Sequence, residues 1–313
     1  MRHSSPNVNN TALVRFSEQG LHSFPQNPRQ TAEGFVKMEA FAKINLFLDI
    51  VGKRLDGYHD IISVMQTVSL CDEIVLQKAE SGVNFFCDEG SLHKNSVPRG
   101  EDNIVVKAAK LFFDEAKESV QHEGVQIDLL KRIPIGAGLA GGSADCAATL
   151  LGMDKLFCTN MPRKKLLEMG KSLGADVPFC ITGGTAFCEG IGEKITPLPP
   201  IEEGFFVIAW PGINVSTKEI FSKVTPSTIV RDYTDYKTNF FNIFTNITGG
   251  LYPRIIFLID ELKKCGAQCA EMSGTGSSVF AYFKDTHTAR EALENIKTHA
   301  TAFLCRPVEA LQI

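Results

Sequence analysis

The run Pro134-Ile135-Gly136-Ala137-Gly138-Leu139-Ala140-Gly141-Gly142-Ser143-Ala144-Asp145 carries the strongest chemical signal in this chain. A glycine loop that feeds a helix offers unblocked backbone N–H groups and the positive end of a helix dipole, and the two together hold phosphate. Gly136, Gly138 and Gly141 also satisfy G-x-G-x-x-G. A dinucleotide loop, however, leaves a hydrophobic strand directly and is answered by an acid about 20 residues on. Here Lys131, Arg132 and Pro134 precede the loop, and no such acid clearly ends a second strand. A Walker A loop is excluded because no Lys-Ser/Thr follows the last glycine. A phosphate cradle and a turn used for close helix packing are the leading readings, with a dehydrogenase third, favoured only by the glycine spacing.

Four further groups could supply chemistry. Asp176, in Gly174-Ala-Asp-Val-Pro178-Phe179, is expected between a helix end and a strand, where it either accepts a proton from a substrate hydroxyl or serves as a turn aspartate. Lys43 lies in a strand-forming stretch with Asn45 two residues on and so on the same face. Its ammonium faces either solvent or a polar cavity, and beside Asp176 it would stabilise charge on a transferring phosphoryl group. Asp56-Gly57-Tyr58-His59 offers a ring and an imidazole after a turn, and Met272-Ser-Gly-Thr-Gly-Ser-Ser278 offers a flexible backbone with hydroxyls; spacing fits a pocket or a plain turn for each.

The elements that must position these groups follow from periodicity. Glu39–Val51 alternates, with Ile44, Leu46, Leu48 and Ile50 opposite Asn45 and Asp49, which predicts a strand. Strand patterns recur at 61–76, 125–130, 204–210, 277–283 and near 302–306. Helical spacing recurs at 102–118 after an Asp/Asn cap, and at 143–157, 162–173, 254–264 and 289–299. Pro197, Pro199 and Pro200 interrupt regular structure and mark the best domain boundary. Residues 1–37 lack periodicity and are rich in Asn, Ser, Pro and Gln, so a poorly ordered extension upstream of a start at Met38 is expected, with an organelle transit peptide as the alternative.

Composition narrows the function classes. A chain of 313 residues is longer than one core usually grows, which favours two domains sharing a cleft. With 32 basic against 36 acidic residues and no long basic run, neither a nucleic-acid nor an anionic-membrane surface is expected. No apolar run reaches the ~18 residues of a membrane span. The nine cysteines form no C-x-x-C pair and read as buried thiols; Cys265 and Cys269 at i, i+4 could share a helix face, but no partner for a metal site lies nearby.

In this order, A-K-I-N-L-F-L from Ala42, D-G-Y-H from Asp56, the glycine loop, G-A-D-V-P-F from Gly174 and M-S-G-T-G-S from Met272 resemble the GHMP kinase superfamily, from about Met38 to the C-terminus. The resemblance implies a two-domain α+β fold. Its N-terminal half, 38–200, is related to a ribosomal-protein domain, and its C-terminal half, 201–313, is ferredoxin-like, with the active site between them. It implies ATP as co-substrate with Mg2+, Pro134 to Ala144 around the phosphates, and Lys43 and Asp176 as catalytic pair with Asp176 as base. Asn45, Tyr58 and His59 would line the substrate pocket, the aromatic pair near a cytidine. The implied acceptor is a small molecule, the tertiary C2 hydroxyl of 4-(cytidine 5′-diphospho)-2-C-methyl-D-erythritol. Another small-molecule kinase of the superfamily and a non-catalytic relative are the alternatives; retention of Lys43 and Asp176 argues against the second. Two departures stand out. Gly141 and Gly142 occupy places where many members carry paired serines, one a magnesium ligand, so the metal ligand is unassigned and Ser143 is expected to cap the helix. The stretch TNFFNIFTN, 238–246, replaces a common Asn-Asp-Leu-Glu.

Overall fold

The computed structural model describes residues 34–90, 97–120, 123–201, 203–226 and 231–310. The expectations for residues 1–33 fall outside these. The first half runs β1 (Phe35–Lys53), β2 (His59–Ala79), β3 (Gly82–Asp88), α1 (Ile104–Ala116), β4 (Gly124–Leu130), α2 (Gly141–Phe157), α3 (Arg163–Leu173), α4 (Val177–Thr182), β5 (Thr185–Gly190) and β6 (Lys194–Pro197). The second half runs β7 (Phe205–Trp210), α5 (Thr217–Lys223), β8 (Phe241–Asn242), α6 (Thr245–Leu251), α7 (Arg254–Lys264), β9 (Cys269–Met272), β10 (Val279–Phe283), α8 (Thr286–Ile296) and β11 (Thr301–Cys305).

Seven strands form the larger sheet, along the path β3-β4-β2-β1-β8 with β5 and β6 attached through β2. β2 is long enough to hold two neighbours, pairing Ile61–Gln66 with β5 and Glu73–Ala79 with β4. The smaller sheet has the order β11-β7-β10-β9, with α7 between β7 and β9 and α8 between β10 and β11. That β-α-β-β-α-β pattern is the ferredoxin-like arrangement.

Side-chain alternation explains the layering. On β7, Phe206 and Ile208 turn to the larger sheet and meet Ile44, Leu46 and Val64, while Val207 and Ala209 turn to α7 and α8. On the other face of the larger sheet, Ile74, Leu76, Ile127 and Leu129 pack under Phe112 of α1 and Leu150 and Leu151 of α2. α2 is buried nearly all round, which suits its small Ala, Gly, Ser and Thr residues. α1 is capped as expected, Asn103 Oδ1 accepting from Val105 N at 2.7 Å.

Several boundaries differ from expectation. β1 begins at Phe35 rather than Glu39, so residues 35–37, expected in the extension, are strand. Asp176 leads into a helix, α4, and not a strand; six residues are too few to show a helical period. Ser143 does not cap α2. The cap position is Ala140, in the left-handed region with no side-chain bond, and Ser143 lies in the first turn. Cys265 ends α7 and Cys269 starts β9, so the two share no helix face, and Cys158 is exposed rather than buried.

Candidate active site

The glycine loop is held by three of its apolar residues and by its carbonyls. Ile133, Ala137 and Leu139 are buried in the core between the two sheets, while Gly136, Gly138 and Ala140 take positive φ of 63°, 79° and 56°. The loop's carbonyls are tied inward: Ala137 O accepts from Ser278 N at 3.0 Å, Gly138 O from Ser273 Oγ at 2.8 Å and Leu139 O from Lys43 N at 3.1 Å. With the oxygens occupied, the N–H groups of the loop and of the first turn of α2 are the polar groups left for an anion.

At Gly138 the chain has no room for a side chain. A Cβ there would lie 2.1 Å from Ser273 O, and its positive φ costs an L-residue about 1–2 kcal/mol. Gly138→Ala is therefore expected to lower Tm. A wild-type Tm would contradict this placement of the loop.

Lys43 stands between irregularities in the β1–β2 ladder, one at Phe41/Lys43 and one at Asn45/Phe47. Such bulges re-aim side chains and release backbone groups, which is how Lys43 N comes to bond the glycine loop. The Lys43 side chain is 6% exposed, with Nζ 3.4 Å from Asp176 Oδ2 and 2.8 Å from Asn45 Oδ1. Asn45 is a junction. Its Oδ1 also accepts from Gly274 N at 3.0 Å, and its Nδ2 donates to Ser63 Oγ at 2.9 Å. Asp176 sits at the head of α4, its side chain capping nothing and 31% exposed. Lysine, aspartate, asparagine, the Met272–Ser278 turn and the glycine loop thus meet in one place.

Tyr58 and His59 lie at the turn end of the β1–β2 hairpin, where Lys53 pairs with His59. Tyr58 is 60% exposed. His59 is buried, its ring 5.4 Å from that of Phe221 on α5. Burial, with the charge of Lys53 adding to it, lowers the His59 pKa, so the imidazole is neutral at pH 7. No hydrogen bond or ring contact joins these two residues to the lysine–aspartate pair among the described residues.

Asn242 could not have been singled out from local sequence. Its Nδ2 donates to Met272 O and Gly274 O, both at 2.7 Å, and its Oδ1 accepts from Phe244 N, so it holds the second turn against the glycine loop from 30 residues away. The only signal was its position inside TNFFNIFTN. Two thiols flank the pair. Burial, with the Asp176 charge adding to it, pushes Cys188 to about 12 and raises Cys180, so neither is a thiolate nucleophile. Among the described residues no three His, Cys, Asp or Glu side chains gather as a metal site, and no helix is long and apolar enough to cross a membrane.

Known proteins resemble this chain in sequence and fold. The family models for the GHMP kinases N-terminal domain and C-terminal domain match residues 103–184 and 235–302. The chain is 40% identical over 289 residues to 4-diphosphocytidyl-2-C-methyl-D-erythritol kinase of Clostridium botulinum, covering 87% of this chain and 100% of the relative. It is 41% identical over 276 residues to the enzyme of that name from Acetivibrio thermocellus, covering 84% and 95%. Among solved structures it is similar to a 4-(cytidine 5′-diphospho)-2C-methyl-D-erythritol kinase, with TM-score 0.74 and 31% identity over 86% of this chain and 98% of that one. A homoserine kinase from Cytophaga hutchinsonii, at TM-score 0.67 and 19% identity over 90% and 97%, shares the fold. The chain belongs to the GHMP kinases and, within them, to the 4-diphosphocytidyl-2-C-methyl-D-erythritol kinase family. It is an ATP-dependent kinase of a small molecule.

Proposed function

We propose that this kinase moves the γ-phosphate of ATP to the C2 hydroxyl of 4-(cytidine 5′-diphospho)-2-C-methyl-D-erythritol, the compound named in its relatives, in the non-mevalonate route to isoprenoid precursors. The observation that carries the mechanism is the 3.4 Å approach of Lys43 Nζ to Asp176 Oδ2 beside the glycine loop. The hydroxyl proton passes to Asp176 as the hydroxyl oxygen bonds to Pγ, the Pγ–O bond to ADP breaks, and the Lys43 ammonium neutralises charge on the transferring group. Asn45, with its oxygen on the lysine and on Gly274 N, fixes the direction of that ammonium.

The loop from Pro134 to Ala144 binds the phosphates through its N–H groups. Mg2+ would arrive on the nucleotide, bound mainly by phosphate oxygens and water, and Ser143 in the first turn of α2, the hydroxyl residue of the run 134–145, would be the side chain to join it. Tyr58 and His59 are proposed to hold the cytidine, the exposed ring by stacking and the neutral imidazole by hydrogen bonding. The division into halves at the proline run 197–200 would place the site where the two meet. The relatives named above are bacterial, and a cytoplasmic reaction suits a nucleotide-linked substrate. ATP consumption measured against a panel of alcohols, with mevalonate, homoserine and the cytidine diphosphate compound among them, tests the reading. Turnover with the last alone is the expected result, and turnover with another in its place would overturn the assignment.

A further inference from the structure

We propose that the buried cluster of Lys131, Asp72 and Asp145 is the positioning device of the phosphate cradle, fixing the lead-in to the glycine loop and the first turns of α2 and so setting the affinity for ATP. The proposal rests on the reading of that loop as the ATP site. Lys131 follows β4 directly, its backbone N–H bonded to Asp88 O at 2.8 Å. Its ammonium bonds Asp72 on β2 and lies 2.8 Å from Asp145 Oδ2 on α2. All three side chains are at most 4% exposed. Asp72 Oδ1 in turn accepts from Arg132 N at 2.5 Å and Ile133 N at 2.8 Å, the two residues that lead into Pro134. One cluster therefore ties β2, the exit of β4 and α2 together immediately beneath the loop.

Stability alone does not account for it. Burying such a cluster is commonly no better than an apolar replacement of the same volume. The lysine also has the wrong sign for its place: a Cβ on Gly141 would lie 2.8 Å from Lys131 Nζ, so the ammonium is pressed against the N-terminus of α2, where cations disfavour a helix. A buried cation there is useful when the ligand is an anion. The two carboxyls outnumber the ammonium, and Asp145 Oδ1 is buried without a hydrogen-bond partner. Burial, opposed by Lys131 and reinforced by Asp72, holds the Asp145 carboxyl well above the usual range.

The test compares KM for ATP with KM for the acceptor and with kcat, in full-length variants checked by thermal melting. Lys131→Met strands two carboxyls, so Lys131→Met/Asp145→Leu is made as well, leaving Asp72 on its two backbone donors. Each is expected to raise KM for ATP about tenfold or more, with acceptor KM and kcat at saturating ATP within about twofold. Asp145→Leu alone is expected to raise KM for ATP likewise, and Asp145→Asn, which keeps an oxygen for Lys131, to recover most of that loss. An unchanged KM for ATP, a parallel rise in acceptor KM, or failure of both Lys131 variants to fold would make the cluster merely structural and overturn the proposal. Absence of ATP turnover in the wild-type protein would instead overturn the reading on which it rests.

Discussion

Asp176→Asn is expected to fold as the wild type does, bind ATP as tightly, and lose turnover by about 10² to 10⁴, the range for removing a general base. The fold is insulated because the Asp176 side chain caps nothing on α4 and is 31% exposed. Asparagine keeps the shape and an oxygen toward Lys43 but cannot take the hydroxyl proton. The measurement is kcat from ADP release together with ATP binding by calorimetry. A kcat within a few-fold of wild type would remove Asp176 from the chemistry, while a loss of ATP binding would make it part of the nucleotide site.

Lys43→Met should cost about 10² to 10³ in kcat, the size of loss seen when one preorganised charge-stabilising donor is taken from a site. Methionine matches the length and apolar stem of lysine but leaves the Asp176 carboxylate unpaired; that carboxylate is 31% exposed and can be hydrated, so a modest fall in Tm is expected. Asn45 Oδ1 retains Gly274 N as a donor, so the second turn stays in place. Lys43→Arg should not restore activity, because the planar guanidinium needs a different approach to the phosphoryl oxygens. If Lys43 and Asp176 act as a unit, the double variant is no slower than the worse of the two single variants. Additive losses would mean that the two serve separate steps.

What could be read in the sequence was local. The 2-residue period of β1 and the helical spacing of α1, α7 and α8 are set by neighbours on one element, and the structure has them within a few residues of where periodicity puts them. The glycine loop was legible for the same reason. β3 has half-buried alternation, Gly82–Asp88, between an exposed turn and residues with no period, and gave no signal. β5 and α4, at six residues each, are shorter than the windows in which a period can be counted.

At the site, the approach of Lys43 to Asp176 was expected only through the family resemblance, since the two are distant in sequence. The Asn242 clamp is 30 residues from the turn it holds, and the Lys131–Asp72 contact spans 59. Lys131 and Arg132 served in the sequence only to argue against a dinucleotide loop. The burial of Lys131 against Asp72, and the bond from the Arg132 N–H to Asp72 that leads the chain into the loop, depend on how β2 and β4 pair, which no local pattern encodes. Local patterns named the elements, and tertiary contacts chose which polar residues among them converge.

Phosphorus NMR of the product formed from ATP and the cytidine diphosphate compound tests the central claim most directly. The account predicts ADP and one new phosphate-monoester resonance coupled to the C2 position, with the diphosphate bridge intact, and neither with Asp176→Asn. A new resonance on any other hydroxyl, or an undiminished one in the Asp176→Asn sample, would contradict it.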